Sequence, residues 1–197
     1  MAHLRFNEAK ATEVACRFLE LRGGTMHYLK LIKLLYLLDR TALGRWGRPV
    51  TTDHHVSMDN GPVVSRIYNL ISDEVPPGAP DFWHQHISNP HDFQVSIVKS
   101  PGTDELSEAE EQLIEEVYAE HGRKNRWALR DETHNLPEWR DPGKTSSPIP
   151  FETILKAGRK HSSEIHAIAR EAAADDFLDR ALVVPTVDGA GTEFFKV

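Results

Sequence analysis

The segment from His27 to Leu43 restricts the fold more than any other part of the chain. Tyr28, Leu29, Leu31, Ile32, Leu34, Leu35, Tyr36, Leu37 and Leu38 form an apolar run that only Lys30, Lys33 and Asp39 interrupt. A helix that is apolar nearly all round belongs at the centre of a core, with other elements covering every side. The run is too short to cross a bilayer, and Lys30, Lys33, Asp39 and Arg40 interrupt or flank it. Burial of each such side chain contributes about 1.5–3 kcal/mol, which makes this helix the largest hydrophobic term in the fold. With 197 residues, 40% of them hydrophobic, the chain has enough material to wrap that helix in one domain plus a short extension. The single Cys16 excludes an intramolecular disulfide framework and any multi-cysteine zinc site. The opening from Met1 to Glu8 lacks the apolar run of a signal peptide, so a cytoplasmic protein is expected.

Local signals predict the elements around this helix. Asn7 caps a helix over 8–22, Phe6 sits at the staple position, and Gly23-Gly24 ends it. A short extended piece follows at 52–58. Asn60-Gly61-Pro62 then reads as a turn with Pro62 at the first position of a new helix carrying Val63, Val64, Ile67, Tyr68 and Ile71. Pro76-Pro77-Gly78-Ala79-Pro80 is a breaker cluster. Beyond it, 82–87 and 93–98 alternate enough to predict a hairpin around Asn89-Pro90-His91-Asp92. Ser107 and Glu110 form a capping box for a helix to about His121. Further helices are expected over 125–134, near 151–158 and over 162–182, with an extended or loose tail from Val183. The expected fold is mainly α (α+β): a compact helical domain around a central hydrophobic helix, with a small antiparallel hairpin or sheet. Its boundaries are 1–160 for the domain and 161–197 for a helical extension and tail.

Charge is unevenly distributed. Residues 1–70 carry ten Lys/Arg against six Asp/Glu, and residues 71–197 carry thirteen against twenty-four, so +4 and −11 make up the net −7. The basic excess is small and interleaved with carboxylates, which is not the footprint of a DNA-binding protein. Among candidate chemical groups, His54 and His55 are adjacent and point to opposite faces of a strand. His84 and His86 share a face if 82–87 is extended, and with His91 they outline a metal-assisted hydrolase as an alternative. Solvent-facing hairpin histidines are the plainer reading. His134 falls in the last turn of a helix, where a cationic imidazole complements the dipole. Cys16 reads as a small buried hydrophobe. Lys30 and Lys33, one turn apart, are expected to snorkel from the central helix, or else to meet phosphate or an acidic partner. Nucleophile-elbow, zincin, Walker and dinucleotide-binding patterns are absent from the sequence, so no metal or cofactor is expected.

Six stretches in this order carry a resemblance: ATEVACRFLEL (11–21), LKLIKLLYLLDR (29–40), GRPV (47–50), MDNGPVVSRIY (58–68), LSEAEEQLIEEVY (106–118), and ALRDETH (128–134) with Pro137-Glu138-Trp139. Together they resemble the Panacea, or SocA-like, antitoxin domain family, also met as phage-associated proteins. The resemblance runs from about 10 to 158, loosely over Pro76–Val98, and covers nothing after Arg159. Proteins of this family are bacterial or phage antitoxins, each encoded beside the toxin it neutralises, and one branch delivers its toxin to the Clp protease. The resemblance therefore implies a protein that works by binding a cognate toxin, without catalysis, cofactor or membrane, with a Clp-type adaptor as the alternative. Such an interface buries about 1,200–2,000 Å² and depends on a few aromatic or Arg anchors. Signature positions Leu34, Leu35, Met58, Gly61, Pro62 and Tyr68 are mostly expected in the core. Surface candidates for the toxin are Arg40, Arg45, Trp46, Arg48, Arg66, His134, Trp139 and Arg140, with Trp46 and Trp139 flanking the contact.

Overall fold

The computed structural model describes residues 5–72, 81–181, 185–188 and 191–194. The breaker cluster at 76–80, the first four residues and parts of the tail lie outside the described residues. The architecture is mainly α with small antiparallel sheets.

The apolar run forms α2 (Tyr28–Trp46), about 28 Å long at 1.5 Å per residue. It is buried from Lys30 to Asp39, and α1 (Glu8–Arg22), α5 (Glu108–His121), α6 (Arg126–His134) and α7 (Phe151–Ala157) all pack on it. Its apolar sides feed two clusters. The larger one gathers Phe18, Leu19, Leu31, Leu34, Leu35, Trp83, Ile114 and Leu129. The smaller one joins Tyr36 and Leu43 to Ile149, Ile154, Leu155 and Ile165, the last from α8 (Ser162–Ala181).

The local signals set most helix ends as expected. Asn7 Oδ1 accepts from the Lys10 N–H at 3.1 Å, and Gly23 closes α1 in the left-handed region at φ +96°. Ser107 and Glu110 form the reciprocal capping box of α5, and Asn125 caps α6. The tail forms the paired strands β6 (Pro185–Asp188) and β7 (Gly191–Phe194).

Two expectations are corrected. Pro62 does not begin a helix: β2 (His55–Met58) and β3 (Gly61–Val64) form a hairpin around Asp59-Asn60, pairing Met58 with Gly61 and Ser57 with Pro62. β3 lies at the edge of a three-stranded sheet, β3-β2-β5 with β5 at Ser147–Ile149, and an edge strand tolerates a proline that donates nothing. The helix α3 (Ser65–Ile71) starts three residues later. The buried Asp53 carboxylate accepts the backbone N–H groups of Arg66 at 3.0 Å and Ile67 at 2.9 Å there.

Residues 82–86 are likewise a helix, α4 (Phe82–His86), and not a strand. Trp83, His86 and Ile87 are all buried, which is i, i+3, i+4 spacing, and the Trp83 N–H donates to Glu8 Oε1 at 2.9 Å. The expected hairpin survives as the single bridges Ile87–Ile97 and His91–Gln94. β4 (Gln94–Ser96) pairs with β1 (Thr25–His27) instead.

Candidate functional site

The polar residues of α2 brace the fold internally. Lys33, Tyr36 and Arg40 lie at i, i+3, i+7 and share one face, with Asp39 beside them. Lys33 Nζ donates to the Pro62 carbonyl at 2.8 Å, which ties α2 to the hairpin. Tyr36 Oη and Arg40 Nε both donate to Glu138 Oε1, at 3.1 and 2.6 Å. The Asp39 carboxylate accepts the N–H groups of Val50 and Thr51, each at 2.9 Å, and the Thr51 hydroxyl at 2.5 Å, and it meets His55 Nε2 at 3.1 Å. The edge of Tyr36 faces the His55 ring at 5.6 Å, so these groups form one continuous buried lattice.

The segment after α6 completes the brace. His134 stacks on Trp139 with centroids 4.2 Å apart, and Trp139 Nε1 donates to the Met58 carbonyl at 3.1 Å. Gly61, at φ +94°, passes so close that a Cβ there would stand 2.9 Å from Lys33 Nζ, Thr133 Oγ1 and His134 Cδ2. Only glycine meets both the conformation and the space.

Electrostatics follow burial. Desolvation lowers Lys33 to about 7, although Asp59 acts in the opposite sense. Asp53 rises to about 6 by burial, opposed by the three backbone N–H groups on its carboxylate. Burial also lowers His134, helped by Lys33 and Arg130, which works against the cationic form that its place in the last turn of α6 favours. Lys30 and Lys33 do not snorkel: both are buried, and Lys30 Nζ donates to the Gly122 carbonyl. Cys16 is a buried small side chain, its thiol pushed up to about 12 by burial. The shared strand face of His84 and His86 does not exist, because α4 is helical. His84 lies beside Asp81 and the Leu70 carbonyl, His86 beside the Lys99 carbonyl. Among the described residues no cluster of three His, Cys, Asp or Glu side chains is placed to hold a metal.

Among the described residues, two of the surface concavities stand out. The larger, about 590 Å³, is a groove between the end of α2, the 48–56 segment, β5, α7 and α8. Trp46 and Arg48 line it, and Trp46 is 39% exposed. Trp46 is the last residue of α2. Gly47 caps that helix at φ +77°, and a Cβ there would stand 2.8 Å from Ile168, so α8 closes directly on the groove wall. Arg66 is exposed next to the lining residue Ser65, with its guanidinium 5.4 Å from the Phe6 ring. Arg45 pairs with Glu116 on the open surface. Arg40, His134, Trp139 and Arg140 belong to the other edge, around Glu138 and β2, and are not in the groove.

The second concavity, about 290 Å³, was not legible in the sequence. His27, Tyr28, Tyr68, Phe93 and Trp127 line it, and Phe93 is 64% and Trp127 46% exposed. Asp92 and Phe93 both hold left-handed backbone, φ +50° and +62°, a conformation that costs roughly 1–2 kcal/mol per non-glycine residue. Its sequence signal is that His27, Tyr28, Phe93 and Trp127 stand between the motif stretches.

The fold and its lattice define a helical scaffold whose buried polar residues cross-brace one central helix. Residues 31–140, over half the chain, match the family described as antitoxin SocA-like, Panacea domain, and the protein belongs to that family. No curated protein and no solved structure matches the chain. No described helix is long and apolar enough to cross a membrane.

Proposed function

We propose that this protein is the antitoxin of a toxin–antitoxin pair and neutralises its cognate toxin by direct contact, covering the toxin's working surface without itself making or breaking a covalent bond. The observation that carries this reading is the division of labour between interior and surface. The buried polar residues Lys33, Tyr36 and Asp39 of the signature are held in internal hydrogen bonds, while Trp46 stands exposed at the mouth of a preformed groove. Interfaces draw most of their energy from a few aromatic and Arg anchors on rigid surfaces. The groove rim offers that chemistry in Trp46 and Arg48, with Arg45 and Arg66 nearby, and Arg40, His134, Trp139 and Arg140 extend it along the Glu138 edge.

Expression of the neighbouring reading frame alone is expected to arrest growth, and co-expression of this chain to restore it. The purified pair is expected to form a stable complex. No rescue, or rescue without a complex, contradicts the reading. A toxin lifetime that shortens only when a Clp-type protease is present indicates delivery instead of occlusion.

A further inference from the structure

The pocket around Phe93 and Trp127 is built for presentation. His27 caps α2, and its Nδ1 accepts the Leu29 N–H at 3.2 Å. The same ring stacks on Phe93 at 5.8 Å with an interplanar angle of 4°. The Tyr28 N–H donates to the Phe93 carbonyl at 2.9 Å. Ring and backbone together hold a strained residue with its side chain in solvent, and strain of this kind is kept where the surrounding structure over-determines it. An anchor already fixed loses little entropy on binding.

The charge around the pocket is one-sided. The Arg126 and Arg130 guanidinium groups each lie 5.0 Å from the Trp127 ring centroid. Arg130 pairs with Asp131, whereas Arg126 has no carboxylate partner among the described residues. Lys30 reaches the α5–α6 turn at Gly122, and Arg22 is close enough to influence it. Lys124 likewise pairs with Glu132 and Lys30 is buried, so Arg126 is the cation that the α6 side offers the pocket, in a chain whose net charge is −7. The opposite rim carries Asp59 and Asn60, and Asp92 adjoins Phe93. An apolar interior with one cationic lip and one acidic lip repels a polyanion along half its edge. It suits a protein segment that inserts an apolar side chain and sets carboxylates against Arg126.

The pocket and the groove also draw on the same strand. His55 and Val56 of β2 line the groove, and Met58, Asp59 and Asn60 line the pocket, so the two sit about 10 Å apart along one strand. A single partner of ordinary interface size spans that distance.

We infer that this pocket is a second contact for the toxin, receiving a large apolar side chain from an acidic toxin segment whose carboxylates meet Arg126. The inference rests on the antitoxin reading and adds where and with what chemistry the toxin docks.

The test uses the full chain and the purified toxin from the neighbouring frame, with calorimetric affinities at low and high salt. Phe93→Asn, which keeps a residue tolerant of left-handed backbone, and Trp127→Ala are each expected to weaken binding about thirtyfold while retaining the wild-type melting curve. Arg126→Glu is expected to weaken it about tenfold at low salt and less at high salt. Affinity within twofold of wild type for both aromatic variants overturns the inference and leaves the antitoxin reading standing if the wild type still binds and rescues. A wild type that neither binds nor rescues overturns both. Salt-dependent binding of a single-stranded RNA 20-mer that Trp127→Ala abolishes, with toxin affinity untouched, reassigns the pocket to nucleic acid and also overturns the inference.

Discussion

The interior of this protein and its surface use the same side-chain chemistry in opposite ways. Inside, Lys33, Tyr36, Asp39, His55 and Glu138 are buried and hydrogen-bond one another and backbone groups. Outside, Trp46, Phe93 and Trp127 are exposed although aromatic rings usually drive burial. The braced residues fall within the stretches that mark the family or on the Glu138 and 50–55 segments they grip, whereas all three exposed aromatics fall between those stretches. The contrast teaches that much of the motif builds a scaffold, while the most exposed aromatic rings lie outside it.

The strongest way to break this contrast is to remove the centre of the brace. Asp39→Ala leaves the Val50 and Thr51 N–H groups and His55 without their acceptor in a dry interior. It is expected to cost about 3–5 kcal/mol in urea denaturation. A loss below about 1 kcal/mol would mean that the lattice does not hold the fold. Gly61→Ala comes next, at about 1–3 kcal/mol, because its conformation is strained for alanine and its Cβ meets Lys33, Thr133 and His134.

Lys33 sharpens the comparison through pH. Its folded value near 7 lies below the ordinary 10.5, so between these values the unfolded chain binds more protons. Stability is therefore expected to rise with pH from 7 to 9, by at most about 1.4 kcal/mol per pH unit from this one group. Above 9 the raised Cys16 thiol enters with the opposite sign. Lys33→Met is expected to flatten the slope between pH 7 and 9, and an unchanged slope would show that the lysine is not the titrating group. Surface changes complete the series. Trp46→Ala is expected to cost less stability than Asp39→Ala while weakening the toxin complex. Arg45→Ala is expected to leave the melting midpoint unmoved, since Arg45 and Glu116 are both in solvent.

What was legible in the sequence was what local chemistry decides. Asn7, Gly23, Ser107 with Glu110, and Asn125 each act within three or four residues of the helix end they set, and α2 announces itself by composition. The misread segments depend on distant partners. The cap of α3 is Asp53, thirteen residues before Arg66 in the chain. β1 and β5 are three-residue strands whose partners lie 71 and 90 positions away for Thr25–Ser96 and Ser57–Ser147. Lys30 and Lys33 looked like snorkelling residues because the carbonyls that receive them, Gly122 and Pro62, come from other elements. For the site, Trp46 and Arg48 were legible as exposed aromatic and cationic residues. The Phe93 pocket was not, because pairing of 25–27 with 94–96 brings its walls together.

Hydroxyl-radical footprinting of the full chain, alone and saturated with its toxin, tests most directly whether scaffold and contact are separate sets of residues. Tyr36 should be unreactive in both states, while Trp46, Phe93 and Trp127 should react in the free protein and become protected in the complex. A neutralising complex in which those three rings stay as reactive as before would contradict the account.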